Sequence, residues 1–407
     1  MYKRQDDPAA RAEMLSAWSS SRTLLLDMRD ADAFHARRLA GAVNLPRTTM
    51  SGRLHELPPR SRPLAVVLDP APVACVDEDA WYRAQLAWFT ADFKGNPWTL
   101  RGCVVGDDAL FDDAAARSGF PVATGAANPT ARLWEPSDNV ARWLPAVEAR
   151  MAHRWGRGGR LLEGAASSKA ASSEAASSEE EPASEPDDHN DDATRPLCVD
   201  LGCGAGRDAV YAALRGWRVL ALDSDAKGLA RCAALAEAHG VRDRVAPVRV
   251  DLERTDPAVV FETIGARPWS SLVNDARASA VDWASLVSHD ANDAFTGAPA
   301  HTLASTAKNP VRAVLAVRFL QRRVAQSLPS LLPAGAAVMW FHFMRGAELT
   351  AVGRPNKAKD LLEDGELRTA FGAERGWTVV ADGATKLPDG RPVSEFVAVR
   401  DRVCSPY

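Results

Sequence analysis

The stretch Leu197-Cys-Val-Asp-Leu-Gly-Cys-Gly-Ala-Gly-Arg-Asp208 decides the fold of this chain. An apolar run of strand length ends in glycines at alternate positions, Gly202, Gly204 and Gly206, and an amphipathic stretch of helical period follows at 208–214. Glycine adopts left-handed backbone readily and, lacking a Cβ, lets a ligand come close to the main chain. A helix that starts at such a turn points its unbonded N–H groups at whatever precedes it, which favours an anion there. Gly216 stands where the helix stops, residues 218–222 read as a second apolar strand, and Asp223 is its tip. A carboxylate about 20 residues past a glycine turn, at the end of the next strand, is placed to accept hydrogen bonds from ribose hydroxyls. A third strand at 245–250 ends in Asp251. Asp200, Asp223 and Asp251 therefore mark three successive strand ends, an ordered series that helix capping alone does not demand.

The glycine spacing departs from the dinucleotide fingerprint, in which the third glycine comes later. Asp-x-Gly-x-Gly-x-Gly resembles instead the first motif of class I S-adenosylmethionine (SAM) methyltransferases. That resemblance implies a doubly wound, Rossmann-like sheet of seven strands over 196–402, with SAM lying across its early strand tips. It also assigns cofactor contacts to Asp200, Gly202, Cys203, Gly204, Gly206 and Arg207 at the turn, to Asp223 at the ribose and to Asp251 beside the adenine amine.

Further along, 313–319 reads as a buried fourth strand, 321–332 as a helix, and 336–344 as a fifth strand after Pro333-Ala-Gly335. Ligands in open parallel sheets bind beyond the carboxyl ends of the strands, so the residues at these tips are candidates for the methyl acceptor. Arg318-Phe-Leu-Gln-Arg322 resembles a signature of the tellurite-resistance type of methyltransferase. The order Gly353-Arg-Pro355, then 360–371, Gly376-Trp377 and Asp389-Gly-Arg-Pro-Val393 is similar to that family's closing region, which implies a lid, a helix and a final antiparallel strand pair. Arg318 and Arg345 are candidates for drawing in an anionic acceptor, Arg318 also for holding the cofactor carboxylate; the alternative for both is a surface ion pair. His342 is a candidate base, or else a core histidine with its hydrogen bonds satisfied. A sulfonium activates its own leaving group, so such an enzyme contributes orientation and exclusion of water. A hydroxyl or amine acceptor would need a base, His342 or Asp275.

With 407 residues and 46% hydrophobic composition the chain has material for two packed cores. A formal charge of −4 and no dense basic block argue against a partner held through nucleic-acid phosphates. No apolar run approaches the roughly 20 residues that span a bilayer. The cysteines, Cys75, Cys103, Cys198, Cys203, Cys232 and Cys404, include no C-x-x-C pair, which points to a reducing compartment and no structural metal. The opening residues lack a secretory h-region, so a cytoplasmic location is expected; Met1-Tyr-Lys-Arg-Gln5 also resembles an adapter remnant, which leaves organelle targeting open.

Residues 161–195 read as an acidic Ala/Ser/Glu linker: from 164 to 194 there are nine acids, one lysine and no aromatic residue. It separates a first domain, 1–160, from the second. Leu24-Leu-Leu-Asp-Met-Arg-Asp-Ala-Asp-Ala-Phe-His-Ala-Arg-Arg-Leu-Ala-Gly-Ala-Val-Asn-Leu-Pro46 resembles a rhodanese module. A working rhodanese needs a thiolate in a loop of stacked N–H groups. Here Asp69-Pro-Ala-Pro72 stands where that loop begins, so the module is expected to be catalytically degenerate, with Cys75 as the only candidate nucleophile and Cys103 inside a strand. Arg132-Leu-Trp-Glu-Pro136 and Trp143-Leu-Pro145 resemble the exit segment of proteins that join such a module to a methyltransferase, with Trp134 either docking one domain on the other or closing its own core. An insertion near 270–310 precedes the fourth strand; residues 281–287 read as a helix, and Asp275, Asp282, His289, Asp290 and Asp293 match no metal loop.

The chain is thus expected to be an α/β protein that transfers a methyl group from SAM to a small acceptor, a thiol or a chalcogen oxyanion. The alternatives are a non-catalytic SAM-sensing or partner-binding regulator, a weak sulfurtransferase using Cys75, and a NAD-dependent oxidoreductase, disfavoured by the third glycine.

Overall fold

The computed structural model describes residues 7–155, apart from 22, 91–96 and 129, and residues 195–401, apart from 268, 279–280 and 284–310. The linker at 161–194, most of the insertion, and Cys404 lie outside the described residues. Two compact units emerge, Met1–Glu135 and Pro136–Tyr407.

The first unit is built on strands β1 (Leu24–Asp27), β2 (Arg38–Leu39), β3 (Val43–Asn44), β4 (Leu64–Leu68), β5 (Leu100–Val105) and β6 (Val122–Ala123). Four of them form a parallel sheet in the order β3-β1-β4-β5, while β2 and β6 make a small antiparallel pair. β4 is buried along its whole length, as a central parallel strand covered on both faces must be. At the tip of β1, Asp27 and Arg29 form a buried pair at 2.7 Å with side chains 0% and 3% exposed. Arg29 also donates to the Arg37 carbonyl at 2.7 Å, and the Asn44 amide donates to the carbonyls of Asp27 and Arg29 at 3.1 and 2.8 Å. The polar residues of the opening signature are therefore spent on holding the strand tips together. Cys103 lies buried in β5, where burial pushes its thiol up to about 12, so it is inert as a nucleophile. Trp134 is buried, with the Arg132 guanidinium 5.0 Å from its ring centre.

The second unit opens with a long helix, Asp138–Trp155. Its sheet contains β7 (Leu197–Leu201), β8 (Arg218–Asp223), β9 (Val245–Arg249), β10 (Val281–Asp282), β11 (Val311–Val317), β12 (Ala337–Phe341), β13 (Trp377–Lys386) and β14 (Pro392–Arg400). Their order is β10-β9-β8-β7-β11-β12-β14-β13. β14 and β13 run antiparallel to their neighbours, and the remaining pairs are parallel. The described sheet has eight strands where seven were expected, the addition being β10 at the edge beside β9, in place of the start of a helix. β7 and β12 are buried at every residue, with helices such as Arg207–Leu214 and Ala226–Ala238 completing the layers. Among the described residues no helix is long and apolar enough to cross a membrane.

The unit boundary falls at Glu135/Pro136 rather than near 160, because the helix Asp138–Trp155 is anchored to residues far along the second unit. Buried Glu148 accepts from Arg215 Nε at 3.0 Å and from Trp217 Nε1 at 2.8 Å. Trp143 Nε1 and Arg142 both donate to Glu395 on β14, at 2.6 and 2.5 Å. These partners are invisible to local periodicity, which is why the helix reads from sequence as the end of the first domain.

Replacing Glu148 by alanine strands the buried Trp217 N–H and frees Arg215. The expected cost is about 2 kcal/mol, read as a lower denaturation midpoint of the second unit with unchanged denaturant slope.

Candidate functional site

The order of the sheet reverses direction between β7 and β11, and the crevice at such a switch point, outside the strands' carboxyl ends, is where open α/β sheets bind ligands. The glycine turn occupies it. Gly202, Gly204 and Gly206 all have left-handed backbones, with φ of 69°, 56° and 79°. Their reasons differ. A Cβ on Gly202 would stand 2.8 Å from the Phe319 ring, and one on Gly206 would stand 2.2 Å from the Cys232 sulfur, so these positions let neighbouring elements close onto the turn. A Cβ on Gly204 would meet nothing within 4 Å; this glycine faces open space, the side from which a ligand approaches. The turn is tied to β8 by N–H donation from Gly202 and Cys203 to the Leu222 carbonyl, at 2.8 and 3.0 Å. Gly206 has no side chain to cap the helix Arg207–Leu214 that follows, and the Ala209 N–H in its first turn is taken up by Asp200.

Asp223, at the end of β8, accepts the Gly204 N–H at 2.7 Å through one oxygen and the Asp225 N–H at 2.8 Å through the other. Its carboxylate is thereby fixed against the turn with lone pairs to spare. Asp251 follows β9, exposed, with one oxygen accepting the Glu253 N–H at 3.0 Å and the other 3.4 Å from the Arg254 Nε. Asp200 is 2% exposed. Burial, and then Asp208 and Asp223 nearby, hold its carboxyl well above the usual carboxylate range, against the pull of the Ala209 N–H. Its Oδ2 is buried without a hydrogen-bond partner. A buried, unsatisfied acceptor beside an open cradle fits a ligand that brings a donor or a positive charge. The half-buried Cys203 thiol, hydrogen-bonded to Cys232, is also held well above its ordinary value.

The acceptor-side candidates separate. Arg318 follows β11 and donates its N–H to the Phe341 carbonyl at 2.8 Å, which places it at the crevice beside the turn. Arg345 does not join it: its guanidinium pairs with Glu363 at 2.7 Å, both half exposed, the surface ion pair that was the alternative for this residue. His342 is 6% exposed, its Nε2–H donating to the Asp360 carbonyl at 3.0 Å and its buried Nδ1 without a partner. Burial lowers its pKa, so the ring is neutral at pH 7. Asp275 is engaged by Arg267 at 3.1 Å, and His289, Asp290 and Asp293 lie outside the described residues.

Four residues escaped the sequence reading. Asp208 accepts the Ser137 backbone N–H at 2.7 Å, so the start of the long helix is fastened to the first turn after the glycines. Arg322, noticed only as part of a signature, binds Glu366 at 2.6 Å and the Lys359 and Leu361 carbonyls at 2.5 and 2.7 Å, pinning the closing region to the sheet. Ser137 and Glu366 carry no local signal; only the fold brings them together with their partners.

Comparison with known proteins bears on this site. The family model described as tellurite resistance protein TehB matches residues 192–256, the segment that holds β7, the glycine turn, Asp223 and Asp251. Over 383 residues the chain is 21% identical to the uncharacterised protein UNK4.09 of Schizosaccharomyces pombe, covering 92% of each, so that likeness runs through both units. Among solved structures, TehB from Haemophilus influenzae is 12% identical over 51% of this chain and 58% of that one, with a TM-score of 0.31. Magnesium protoporphyrin IX methyltransferase from Synechocystis, solved with bound S-adenosylhomocysteine, is 14% identical over 51% and 75%, with a TM-score of 0.32. The second unit is thus similar, over residues 192–256, to the TehB family.

The glycines make a paired prediction. Gly204→Val strains a left-handed backbone but meets no neighbour and abolishes cofactor binding, whereas Gly206→Ala, with Cys232 2.2 Å from the added Cβ, lowers the unfolding temperature further; thermal unfolding and ligand titration on both variants check this. For Asp200, the folded chain keeps a proton that the unfolded chain releases in the ordinary carboxylate range, so stability falls as pH rises from about 4 through the raised pKa. Asp200→Asn should flatten that decline and raise the unfolding temperature at pH 8 while weakening SAM binding.

Proposed function

We propose that the second unit transfers the methyl group of SAM to a small anionic acceptor, a thiol or a chalcogen oxyanion, and that the first unit is a rhodanese-like module without a nucleophile. The observation that carries the reading is Gly204: left-handed, open on its ligand side, its N–H fixed by Asp223 at the switch point of the sheet. The residues present fit the cofactor. Asp200 offers an unpaired oxygen to its ammonium group and Asp223 a held carboxylate to its ribose. Asp251, Gly202, Cys203, Gly206 and Arg207 complete the cradle in this reading.

When bound, SAM supplies an electrophilic methyl on a sulfonium that needs no further activation. The chain's residues then have to position and desolvate. Phe319, whose ring closes against Gly202, forms an apolar wall beside the turn, and Trp340 holds it by donating Nε1–H to the Phe319 carbonyl at 3.0 Å. Arg318 presents positive charge on the β11 side, which suits an acceptor that arrives as an anion and needs no base.

In the first unit, the tip of β4 is followed by Asp69 and Pro70 where a sulfurtransferase loop needs its thiolate, which supports a non-catalytic role there. The described cysteines are all free thiols, in keeping with a reducing, cytoplasmic setting.

Titration calorimetry of the full chain should give micromolar binding of SAM and S-adenosylhomocysteine and none of NAD. Asp223→Ala should lower SAM affinity by at least tenfold with little change in unfolding temperature. Equal affinity in the variant would sink the site; binding without methylation of any thiol or chalcogen oxyanion would turn the reading toward a SAM-sensing regulator.

A further inference from the structure

The helix Ala226–Ala238 lies against the glycine turn through two gaps. A Cβ on Gly228 would stand 2.9 Å from the Gly204 carbonyl oxygen, and one on Gly206 would stand 2.2 Å from the sulfur of Cys232 and 3.0 Å from its Cα. Gly228 and Cys232 are one helical turn apart on one face, so that face rests on the turn from Gly204 to Gly206. The Cys203 sulfur is on the same side of the turn: it lies 3.8 Å from the Gly204 carbonyl oxygen and is hydrogen-bonded to the Cys232 thiol. Cys232 is fully buried, whereas Cys203 keeps accessible surface. Close packing at Gly206 asks only for a small side chain on the helix, which alanine or serine would also supply. What sulfur adds at position 232 is the capacity to be joined to Cys203.

We propose that Cys203 and Cys232 form a reversible redox pair, which a peroxide oxidises to a disulfide that closes the glycine turn to its adenosyl ligand. The Cys203 sulfur, the accessible one of the two, attacks a peroxide oxygen. An S–O bond forms as the O–O bond breaks, and the departing oxygen leaves as water with the thiol proton. The Cys232 sulfur then displaces the hydroxyl of that sulfenic acid: the S–S bond forms, the S–O bond breaks, and the Cys232 proton leaves in a second water. The two sulfurs lose two electrons, which the peroxide takes up.

A disulfide is far shorter than a thiol–thiol hydrogen bond, so one partner has to move. Cys232 is fixed in a helix that already fills the space beside Gly206, and the turn is the part that yields. The Gly202 and Cys203 N–H groups are bonded to the Leu222 carbonyl and the Gly204 N–H to Asp223 at 2.7 Å. A shift of Cys203 toward the helix therefore draws Gly204 off Asp223 and tilts the carboxylate that a ribose needs. The hydrogen bond to Cys232 and then burial, with Asp200 and Asp223 adding to them, hold the Cys203 thiol well above its ordinary value. With little thiolate at neutral pH, the pair stays reduced in a reducing setting and responds to sustained oxidant. The bond itself stands without the methyl-transfer reading, but its consequence for an adenosyl ligand rests on that reading.

The test takes the reduced full chain, treats it with hydrogen peroxide and removes the peroxide by gel filtration, alongside Cys232→Ala and Cys232→Ser handled in the same way. Peptide mapping without reduction should find the peptides that carry Cys203 and Cys232 joined, with the loss of two hydrogens, in the parent alone. Calorimetry should give an S-adenosylhomocysteine affinity at least tenfold weaker in the oxidised parent, restored by dithiothreitol. Both variants should bind that ligand as the reduced parent does, before and after peroxide. The proposal is overturned if no link between Cys203 and Cys232 forms, if the link forms and the affinity is unchanged, or if both variants lose affinity as the parent does. A parent that forms the link but binds no adenosyl ligand in either state sinks the methyl-transfer reading and leaves the redox pair standing.

Discussion

Two missing methyl groups hold the second unit's crevice in shape. At Gly202 and at Gly206 a Cβ would stand inside the normal contact distance of Phe319 and of Cys232, so the strand tip of β11 and the helix Ala226–Ala238 can close on the turn only because nothing projects there. From that closure the rest follows. The turn is held to β8, Asp223 is brought within reach of the Gly204 N–H, and the first helix after the turn starts without a cap. Glycine at Gly204 serves the opposite purpose, keeping space empty. One motif thus contains two steric demands of opposite sign, close contact at its ends and clearance in the middle.

The first unit shows a similar economy in its polar residues. Asp27, Arg29 and Asn44 sit in the stretch that most resembles a sulfur-transfer module, yet every one of them is occupied with strand tips and loop carbonyls. A buried ion pair of this kind is costly to break by removing one partner and contributes little net stability when intact. Its presence fixes the geometry of the β1 and β3 exits whether or not a nucleophile follows β4. The signature is therefore evidence of architecture, and the chemistry has to be judged from the loop after β4, where Asp69 and Pro70 stand.

What could be read from the chain followed the range of the interactions. Asp223 and Asp251 were legible as positions because each closes or follows a strand whose apolar pattern ends there, whereas Asp200 lies inside β7, one residue before its end. The assignments of Arg318 and Arg345 were equivalent in sequence, two arginines at two strand tips, and only the pairing of Arg345 with Glu363 tells them apart. The long helix was misallocated for the same reason: Glu148 looks like any acid on an amphipathic helix until Arg215 and Trp217 are seen on it. β10 has two residues and no pattern to detect. The left-handed backbone of Arg318, with φ at 58°, was beyond reach altogether, since φ is decided there by what Phe319 and Trp340 require.

The reach of that long helix also sets a timetable for biosynthesis. Glu148 meets Arg215 and Trp217 after 67 and 69 residues, whereas Arg142 meets Glu395 only after 253. At ribosomal rates of roughly 5–20 residues per second, the last partner emerges on the order of 10–50 s after the helix does. During the last part of that interval, once β12 has emerged and until β14 follows about 50 residues later, β12 is an open sheet edge. The nascent chain is most vulnerable to mispairing just before its final strand arrives.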